Sequence, residues 1–470
     1  MYAFVLAAAV AAAPDSLVRA DSLVHADSLV HAGSAARIAA APADSLHPAS
    51  TAVATARADS AKAPKVPFGY GDFTWMNGQS REHASPLGLT SFLTASIYLD
   101  TYYAYSFNHP RDNTIVGSAS VGRHNEVQIN LASVGLSFNY QHVIGTLELQ
   151  TGSQLNIIQD LDGTAAHGRN ISTGDLRNIR EAMAGYHFDT WYGIDVQAGI
   201  FASYIGLESY LLAENWNYNR SLVCDFTPFY FQGARVSIYP NDKIKIEPWV
   251  MNGFQTYGKW NYATAVGNSF YYRPKEWIGF ISNLYYGGDT RGVPQRRRFH
   301  NDDSILLRYY NAPTSSGISK LALSVNGHYG FEHGGTAADG TPLPGARHAY
   351  MSGIAVANRA WFAHDHLAFT VRGETISNPT RYLAPTPTAA GFVDSGSSLW
   401  INGVTTTFDV IPNDYFNFRF EFMARKANVP FFAGPGGTTS SDGYVGTAGP
   451  FTPDVRRGQS TLTAAINVRL

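Results

Sequence analysis

The chain has 470 residues, of which 13% are aromatic and only 15% are charged, and its formal net charge is -2 at pH 7. Soluble domains carry about 25% charged residues, so this composition indicates a surface that partly faces something other than water. The charge balance gives no basic excess for a nucleic-acid partner, and the single cysteine, Cys224, excludes an intrachain disulfide and a cysteine-based zinc cluster.

The sequence favours strands over helices as the means of crossing a membrane. It contains no run that approaches the roughly 20 apolar residues of a spanning helix. In lipid, only helices and closed barrels satisfy every backbone polar group. A membrane-spanning form of this chain is therefore predicted to be a β-barrel.

The N-terminal region differs in character from the rest of the chain. A short apolar run that ends in alanines predicts a signal peptide over residues 1–13. A six-residue unit then starts at Asp15, Asp21 and Asp27, and this period matches neither a helix nor a strand. Residues 14–67 are therefore predicted to be a low-complexity, disordered periplasmic leader, with a tether to the cell wall or to a partner as the alternative. The barrel domain is predicted to occupy residues 68–470.

From about Leu93 onward, apolar and polar residues alternate with a period of two in segment after segment. In the clearest example, Phe416, Phe418, Phe420 and Phe422 alternate with Asn417, Arg419 and Glu421. A row of four phenylalanines needs lipid or a core on its side of the strand. The opposite row, which carries the charges, is predicted to face the lumen.

A soluble β-sandwich also alternates, but the lengths of the connections distinguish the two folds. Short polar links are predicted at 139–141, 189–190, 240–242, 274–275, 314–317, 364–365 and 412–414. Between them lie long stretches rich in Gly, Asn and Pro, such as 108–125, 151–178, 289–303, 334–347 and 378–397. This rhythm predicts an all-β, transmembrane antiparallel β-barrel of about 16 strands, with long outer loops and short periplasmic turns. Both ends of the barrel then lie on the periplasmic side.

Aromatic residues near the predicted strand ends indicate girdles at the two membrane interfaces. The candidates are Tyr102, Tyr103, Tyr105, Tyr186, Trp191, Tyr192, Tyr239, Trp277, Tyr285, Tyr286, Tyr309 and Tyr310. The alternative is that they are ordinary strand residues, because β-propensity alone enriches Tyr and Trp in sheets.

One stretch carries a more specific signal than the alternation. It contains Gly206-Leu207-Glu208-Ser209-Tyr210, Asn215-Trp216-Asn217-Tyr218-Asn219-Arg220-Ser221, Thr227-Pro228-Phe229-Tyr230 and Gly233-Ala234-Arg235, followed by Tyr239-Pro240 and Asn252-Gly253. These residues resemble the OmpL-like β-barrel porin-2 family of Gram-negative outer-membrane porins. The resemblance implies a water-filled channel for passive diffusion of small hydrophilic solutes or ions.

The same stretch is predicted to be the third outer loop, and by analogy with general porins this loop is expected to fold inward and narrow the lumen. The constriction candidates are its charged residues, Glu208, Glu214, Arg220 and Asp225. The alternative is a packed outer loop that seals the rim.

Charged residues on the inward rows are predicted to line the pore and to set its selectivity. They are Glu148, Arg235, Lys243, Lys245, Glu247, Arg308, Arg372, Glu374, Arg419 and Glu421. Both signs occur, so the set predicts no anion or cation preference. Pairing of these charges across the wall is the structural alternative.

Two other functions compete with the porin: a structural or adhesin barrel with an occluded lumen, and an outer-membrane hydrolase. His364-Asp365-His366 most resembles a catalytic or metal site, but it lies in a short predicted turn and lacks a third ligand. We therefore predict no enzymatic activity and no cofactor or metal.

The expected partners are outer-membrane lipid, lipopolysaccharide, the barrel assembly machinery and small hydrophilic solutes, with a homotrimer as a possible assembly. Arg296, Arg297 and Arg298 form a basic run in a predicted outer loop that suits lipopolysaccharide phosphates. A solvated loop is the alternative.

Overall fold

Sixteen antiparallel strands close into one barrel in the computed structural model. The structure describes residues 65–159, 162, 164, 168–259, 262–290, 292–379, 398–439 and 451–470. The predicted signal peptide and residues 14–64 of the predicted leader lie outside the described residues. Among the described residues, no helix reaches the length and apolar character needed to cross a bilayer.

The barrel strands follow one another around the wall in chain order. They are β1 Leu93–Ser106, β2 Val127–Tyr140, β3 Val143–Thr151, β4 Ile179–Phe188, β5 Ile194–Ala202, β6 Tyr230–Asn241, β7 Ile244–Met251, β8 Ala265–Lys275, β9 Ile278–Gly287, β10 Arg297–Asn311, β11 Ile318–His333, β12 Tyr350–Phe362, β13 Leu367–Asn378, β14 Leu399–Asn413, β15 Phe416–Ala427 and β18 Gly458–Arg469. In the connection between β15 and β18, the short strands β16 Phe432–Ala433 and β17 Val455–Arg456 pair as a separate two-stranded sheet.

Strands β1 and β18 close the barrel by pairing with each other, in a register that runs from Tyr98 opposite Arg469 to Ser106 opposite Thr461. The remaining regular elements lie in the long connections. They are helices α1 Gln154–Ile158, α2 Thr173–Leu176 and α3 Leu222–Asp225 and a 3-10 helix at Leu212–Glu214.

The connections alternate in length as predicted. Gln141 and His142 alone join β2 to β3, and both have positive φ, as a two-residue type I′ hairpin turn requires. The opposite end of the barrel carries long connections such as 152–178 and 203–229. This asymmetry, together with the closed 16-strand barrel, confirms the predicted architecture.

One predicted outer stretch was too long. We expected a loop over 289–303, but β10 begins at Arg297, so its last seven positions belong to the wall. The error arose because the inward positions His300 and Asp302 are polar and buried in the lumen, which makes a spanning strand look like a loop. Most of the predicted loop 378–397 lies outside the described residues.

The two faces of the wall separate as the alternation predicted. Phe420 is 53% exposed on the outer surface, whereas its neighbour Arg419 is 1% exposed and faces the interior. Among the girdle candidates, the outer face exposes Tyr103, Tyr186, Trp191, Trp277, Tyr286, Tyr309 and Tyr310. The girdle prediction was wrong for Tyr102, Tyr239 and Tyr285, which are buried on the inner side.

Replacing Phe420, near the middle of β15, by arginine tests the lipid-facing assignment. A charge at the bilayer midplane costs a barrel about 2–4 kcal/mol, whereas near an interface it costs about 0–1 kcal/mol. Val127→Arg, at the outer end of β2, is the matched control because Val127 is also exposed. Urea unfolding in phospholipid vesicles should show a large loss of stability for Phe420→Arg and a small one for the control; equal losses would contradict the assignment.

Candidate functional site

The connection between β5 and β6 folds into the barrel instead of standing above it. Its residues are almost all buried, including the whole of the 3-10 helix and of α3. We call residues 203–229 the inner loop. The four predicted constriction residues, Glu208, Glu214, Arg220 and Asp225, all belong to it and are buried inside the barrel.

The chain turns inward at Gly206, which has a φ of +93°, a region that only glycine adopts without strain. Its amide donates to Asp302 Oδ1 on β10 at 3.2 Å. A Cβ at this position would lie 3.0 Å from Thr227 Oγ1 at the other end of the inner loop. Gly206 therefore lets the two ends of the loop approach each other at the wall.

Arginines on one wall hold the first half of the inner loop by its backbone. Arg419 on β15 donates to the carbonyl oxygens of Leu212, Asn215 and Trp216 at 2.6, 2.7 and 2.9 Å. Arg359 on β12 donates to the same Trp216 oxygen at 2.9 Å. The loop carbonyls cannot join a β-ladder, so these guanidiniums supply their donors.

Two more arginines hold the second half of the loop. Arg372 on β13 donates to Glu208 Oε1 at 3.1 Å and to the Asn219 carbonyl at 2.8 Å. Arg425 on β15 donates to the Arg220 carbonyl at 2.8 Å, and its Nη1 lies 3.5 Å from Asp225 Oδ2. The loop is thus held along its length by a row of buried cations.

Carboxylates on the same wall accept hydrogen bonds from the loop amides. Glu421 accepts from the amides of Tyr218 and Asn219 at 2.6 and 2.9 Å, and Glu374 accepts from the amide of Leu222 at 2.8 Å. Because Glu374 also accepts from Arg425 at 2.9 Å, the anions balance the arginine row. Such reciprocal pairing is what makes buried charge tolerable.

The other predicted wall charges are paired with neighbours on the wall. Glu148 lies 2.6 Å from Arg180, and Arg308 lies 2.7 Å from Glu276. Glu247 is paired with Lys245 at 3.0 Å and with Arg235 at 3.7 Å. Lys243 is half-buried in the turn between β6 and β7, 5.6 Å from the centre of the Tyr70 ring, rather than on a strand.

Sequence reasoning missed a second segment that enters the interior, from the periplasmic end. Residues 68–80, which precede β1, bury Phe68, Phe73, Trp75 and Met76 inside the barrel. Two cavities lie where this segment, the inner loop and the wall meet, and they measure only about 10 and 20 Å³. Each of these two cavities has room for about one water molecule.

The first and last outer connections contact each other at the outer end of the barrel. Asp112 Oδ2 accepts from the amides of Thr438 and Thr439 at 2.6 and 2.9 Å. Burial alone would raise the pKa of the Asp112 carboxyl, but these donors outweigh it and hold the pKa below its ordinary value of 3.8. The two connections are thus linked, and we call this linked pair of connections the outer cover.

The basic run does not form one external patch. Arg296 and Arg298 both turn to Glu332 on β11, at 3.2 and 2.8 Å, and only Arg297 faces the other way. In the predicted His364-Asp365-His366 turn, Asp365 is paired with Lys320 at 2.6 Å. Within the described ranges, no cluster of three or more His, Cys, Asp or Glu side chains could hold a metal ion.

A closed antiparallel barrel with an apolar outer face, charged inward rows and a loop folded across its interior defines the class of outer-membrane porins. The chain belongs to the family described as "Putative beta-barrel porin-2, OmpL-like", whose family model matches residues 93–469. The chain is thus an outer-membrane porin. No curated relative matches the sequence.

Several solved structures are similar to this chain over most of its length, at low sequence identity. They include OmpF of Salmonella typhi in complex with daunomycin, with 11% identity, a TM-score of 0.45 and coverage of 80% of this chain and 97% of that chain. The outer membrane channel DcaP of Acinetobacter baumannii has 9% identity and a TM-score of 0.46, and the match covers 80% of this chain and 96% of that chain. OprB of Pseudomonas putida at high pH has 10% identity and a TM-score of 0.48, and the match covers 81% of this chain and 94% of that chain. At these identities and TM-scores, the likeness says nothing about solutes.

Arg372→Met should release the inner loop from β13. The change leaves Glu208 and the Asn219 carbonyl buried without their donor, and breaking a buried pair on one side costs about 3–5 kcal/mol. The control is Arg123→Met, because Arg123 and Glu126 form a partly exposed pair in an outer connection, where the expected loss is about 0–1 kcal/mol. Urea unfolding compares the two, and similar losses would show that Arg372 does not anchor the loop.

Asp112→Ala should loosen the outer cover. The folded-state pKa of Asp112 lies below 3.8, so its contribution is complete at neutral pH and is lost as the pH falls through that folded-state pKa. Amide hydrogen exchange at Thr438 and Thr439, corrected for intrinsic rates, should therefore accelerate in acid for the wild type and be fast at every pH in the variant. Asp339→Ala is the control, since Asp339 bonds only Thr341 of its own connection; protection that is unchanged in Asp112→Ala would contradict the link.

Proposed function

We propose that small hydrophilic solutes or ions diffuse through the barrel lumen and that the inner loop is its constriction. The inner loop carries Glu208, Arg220 and Asp225 across the interior, against a wall whose inward rows are charged. A barrel of sixteen strands is too wide for wall side chains alone to fill it, which makes a water path the default. Passage requires no chemical step, so we propose no catalytic activity.

The observation that carries this proposal is a polar row on the inward face of β18. The side-chain oxygens of Thr461, Thr463 and Asn467 are buried and have no hydrogen-bond partner among the described residues. Buried polar atoms in proteins are normally satisfied by protein groups or by water. Waters enclosed between β18 and the 3-10 helix of the inner loop would satisfy them, which favours a hydrated lumen at this level.

The charges offer no simple ion preference, because both signs occur in the constriction and on the wall around it. We therefore propose weak selectivity for charge and selection mainly by size. The exposed apolar face suits contact with outer-membrane lipid, and Arg297 is the remaining candidate of the basic run for lipopolysaccharide phosphate. Insertion by the barrel assembly machinery, a homotrimer and a periplasmic position for the N-terminal residues stay predictions.

A structural or adhesin barrel with an occluded lumen is the second candidate function. The burial of both the inner loop and residues 68–80 inside the barrel favours it. The two functions differ in one measurable property, because a porin conducts ions in a planar bilayer and a permanently filled barrel does not.

Deletion of residues 213–225 should raise single-channel conductance severalfold over the wild type, because it removes the 3-10 helix and α3 from the lumen. The matched control is deletion of residues 336–345 from the exposed connection between β11 and β12, which should leave conductance unchanged. Equal conductance in the deletion and the wild type would return the inner loop to a purely structural role. Absence of ohmic steps in every variant would favour the occluded barrel, and ester hydrolysis by the purified protein would favour the hydrolase.

A further inference from the structure

The segment before β1 is built to fill the periplasmic half of the lumen. Its backbone and side chains bond the periplasmic turns: the Phe68 amide donates to the Asp242 carbonyl at 2.9 Å, and Trp75 Nε1 donates to the Glu276 carbonyl at 3.0 Å. The structure places no strand in residues 65–92, so the segment is not part of the wall. We call residues 65–83 the N-terminal segment.

Aromatic rings of the N-terminal segment stack on wall cations. The guanidinium of Arg273 on β8 lies 4.5 Å from the centre of the Phe68 ring and 4.8 Å from that of Phe73. Arg308 on β10 lies 5.6 Å from the ring centre of Trp75. These cation–π contacts add to the hydrogen bonds that hold the segment.

The wall beneath the segment carries many apolar inward-facing residues. Inward-facing residues of several strands belong to the same hydrophobic cluster as Trp75 and Met76; they include Tyr239, Tyr271, Ile281, Leu306, Trp361 and Ile411. The interior of a porin is ordinarily polar. An apolar inner wall of this kind needs a partner, and the N-terminal segment covers it.

The segment also touches the inner loop. Trp216 donates its amide to Asn77 Oδ1 at 2.8 Å and its Nε1 to the Trp75 carbonyl at 3.0 Å. Gly78, with a φ of +76°, meets the inner loop so closely that a Cβ would lie 2.1 Å from the Leu207 carbonyl oxygen. At the periplasmic rim, Arg469 pairs with Glu214 of the loop and also lies 3.3 Å from a Glu82 carboxylate oxygen.

We propose that residues 65–83 are a periplasmic plug and that solutes pass only when this plug leaves its seat. The inference rests on the proposed function, since it names what controls the same lumen. The plug, rather than the inner loop, is the movable element because of how each is held. Withdrawing the inner loop strips buried guanidiniums such as Arg372 and Arg419 of their carbonyl partners. Withdrawing the plug instead breaks ion pairs at the periplasmic rim, Glu82 with Arg469 and the well-exposed pair of His83 with Asp414, together with hydrogen bonds such as the two that Trp216 donates. Exposed ion pairs contribute little to stability, so the plug is the more weakly held of the two elements.

A reversible lock tests the plug in the full-length protein. The Cβ of a residue at position 71 would lie 2.7 Å from Glu276 Cβ, in the turn between β8 and β9. Disulfides span about 3.5–4.5 Å between Cβ atoms, so a small shift allows Gly71→Cys with Glu276→Cys to close. The native Cys224 is buried and does not compete. Conductance in planar bilayers should be lost on oxidation and return to the wild-type level on reduction.

The two single-cysteine variants are controls and should not respond to oxidation. A second variant, Trp75→Ala, should raise the open probability by about tenfold or more, because it removes the largest buried side chain of the plug. Trp191→Ala is its matched control, since Trp191 is exposed in another periplasmic turn.

Equal conductance of the oxidised and reduced forms of the double-cysteine variant would contradict the plug hypothesis. An unchanged open probability in Trp75→Ala would contradict it as well. The deletion of residues 213–225 separates this failure from failure of the porin itself. If that deletion conducts while the lock has no effect, the plug is wrong and the porin stands. If no variant conducts under any condition, the proposed function fails first.

Discussion

The whole structure depends on satisfying backbone hydrogen bonds inside a medium that offers none. A sheet in lipid cannot have a free edge, and this chain removes its edge by pairing β1 with β18. Closure forces every residue of the wall to face either lipid or lumen. Alternate residues along each strand therefore need different side-chain chemistry. The residues that face lipid must be apolar, whereas the residues that face the lumen can be polar or charged. The arginines and carboxylates of the interior are possible only because the closed wall keeps them away from lipid.

The need to satisfy backbone hydrogen bonds also explains how a loop without regular structure can lie inside the barrel. Its carbonyls and amides are buried and unable to form a ladder, so they need partners from elsewhere. The wall supplies them as charged side chains: Arg359 and Arg419 for carbonyls, and Glu374 and Glu421 for amides. The arginines are also paired with wall carboxylates, Arg359 and Arg419 with Asp409 and Arg425 with Glu374. The backbone of the inner loop is therefore held by hydrogen bonds to charged side chains, whereas the strands of the wall are held by hydrogen bonds between backbone groups.

The sequence predicted the wall well because the wall obeys one rule that can be read locally. Alternation and the lengths of the connections led to the closed barrel, its strand number and the sides of the turns. The rule failed where the lumen has its own chemistry: polar inward residues made the start of β10 resemble a loop, and Tyr285 near a strand end faces inward. The interior pairings, such as Arg372 with Glu208, join residues far apart in the chain, and nothing in one sequence fixes such partners. The N-terminal segment was missed because it was taken as the start of the barrel domain, although its Phe68 to Met76 stretch is rich in aromatic residues.

The inward rows also contain a second pattern. It can be recognised only when the strand register shows which residues face the lumen. A lumen that held water throughout would keep polar side chains on every inward position. Here the inward positions Ile281, Leu306 and Ile411 break that rule, and they gather into one cluster toward the periplasmic end. An apolar inner wall facing water would lose the free energy that burial provides, roughly 25 cal/mol per Å² of apolar surface. Selection for such residues at these positions makes sense only if another part of the chain covers them for most of the time. The inner loop and the N-terminal segment are thus matched to two different zones of one lumen: the loop to rows of arginines and carboxylates, and the aromatic segment to apolar wall residues and to cations that stack on its rings.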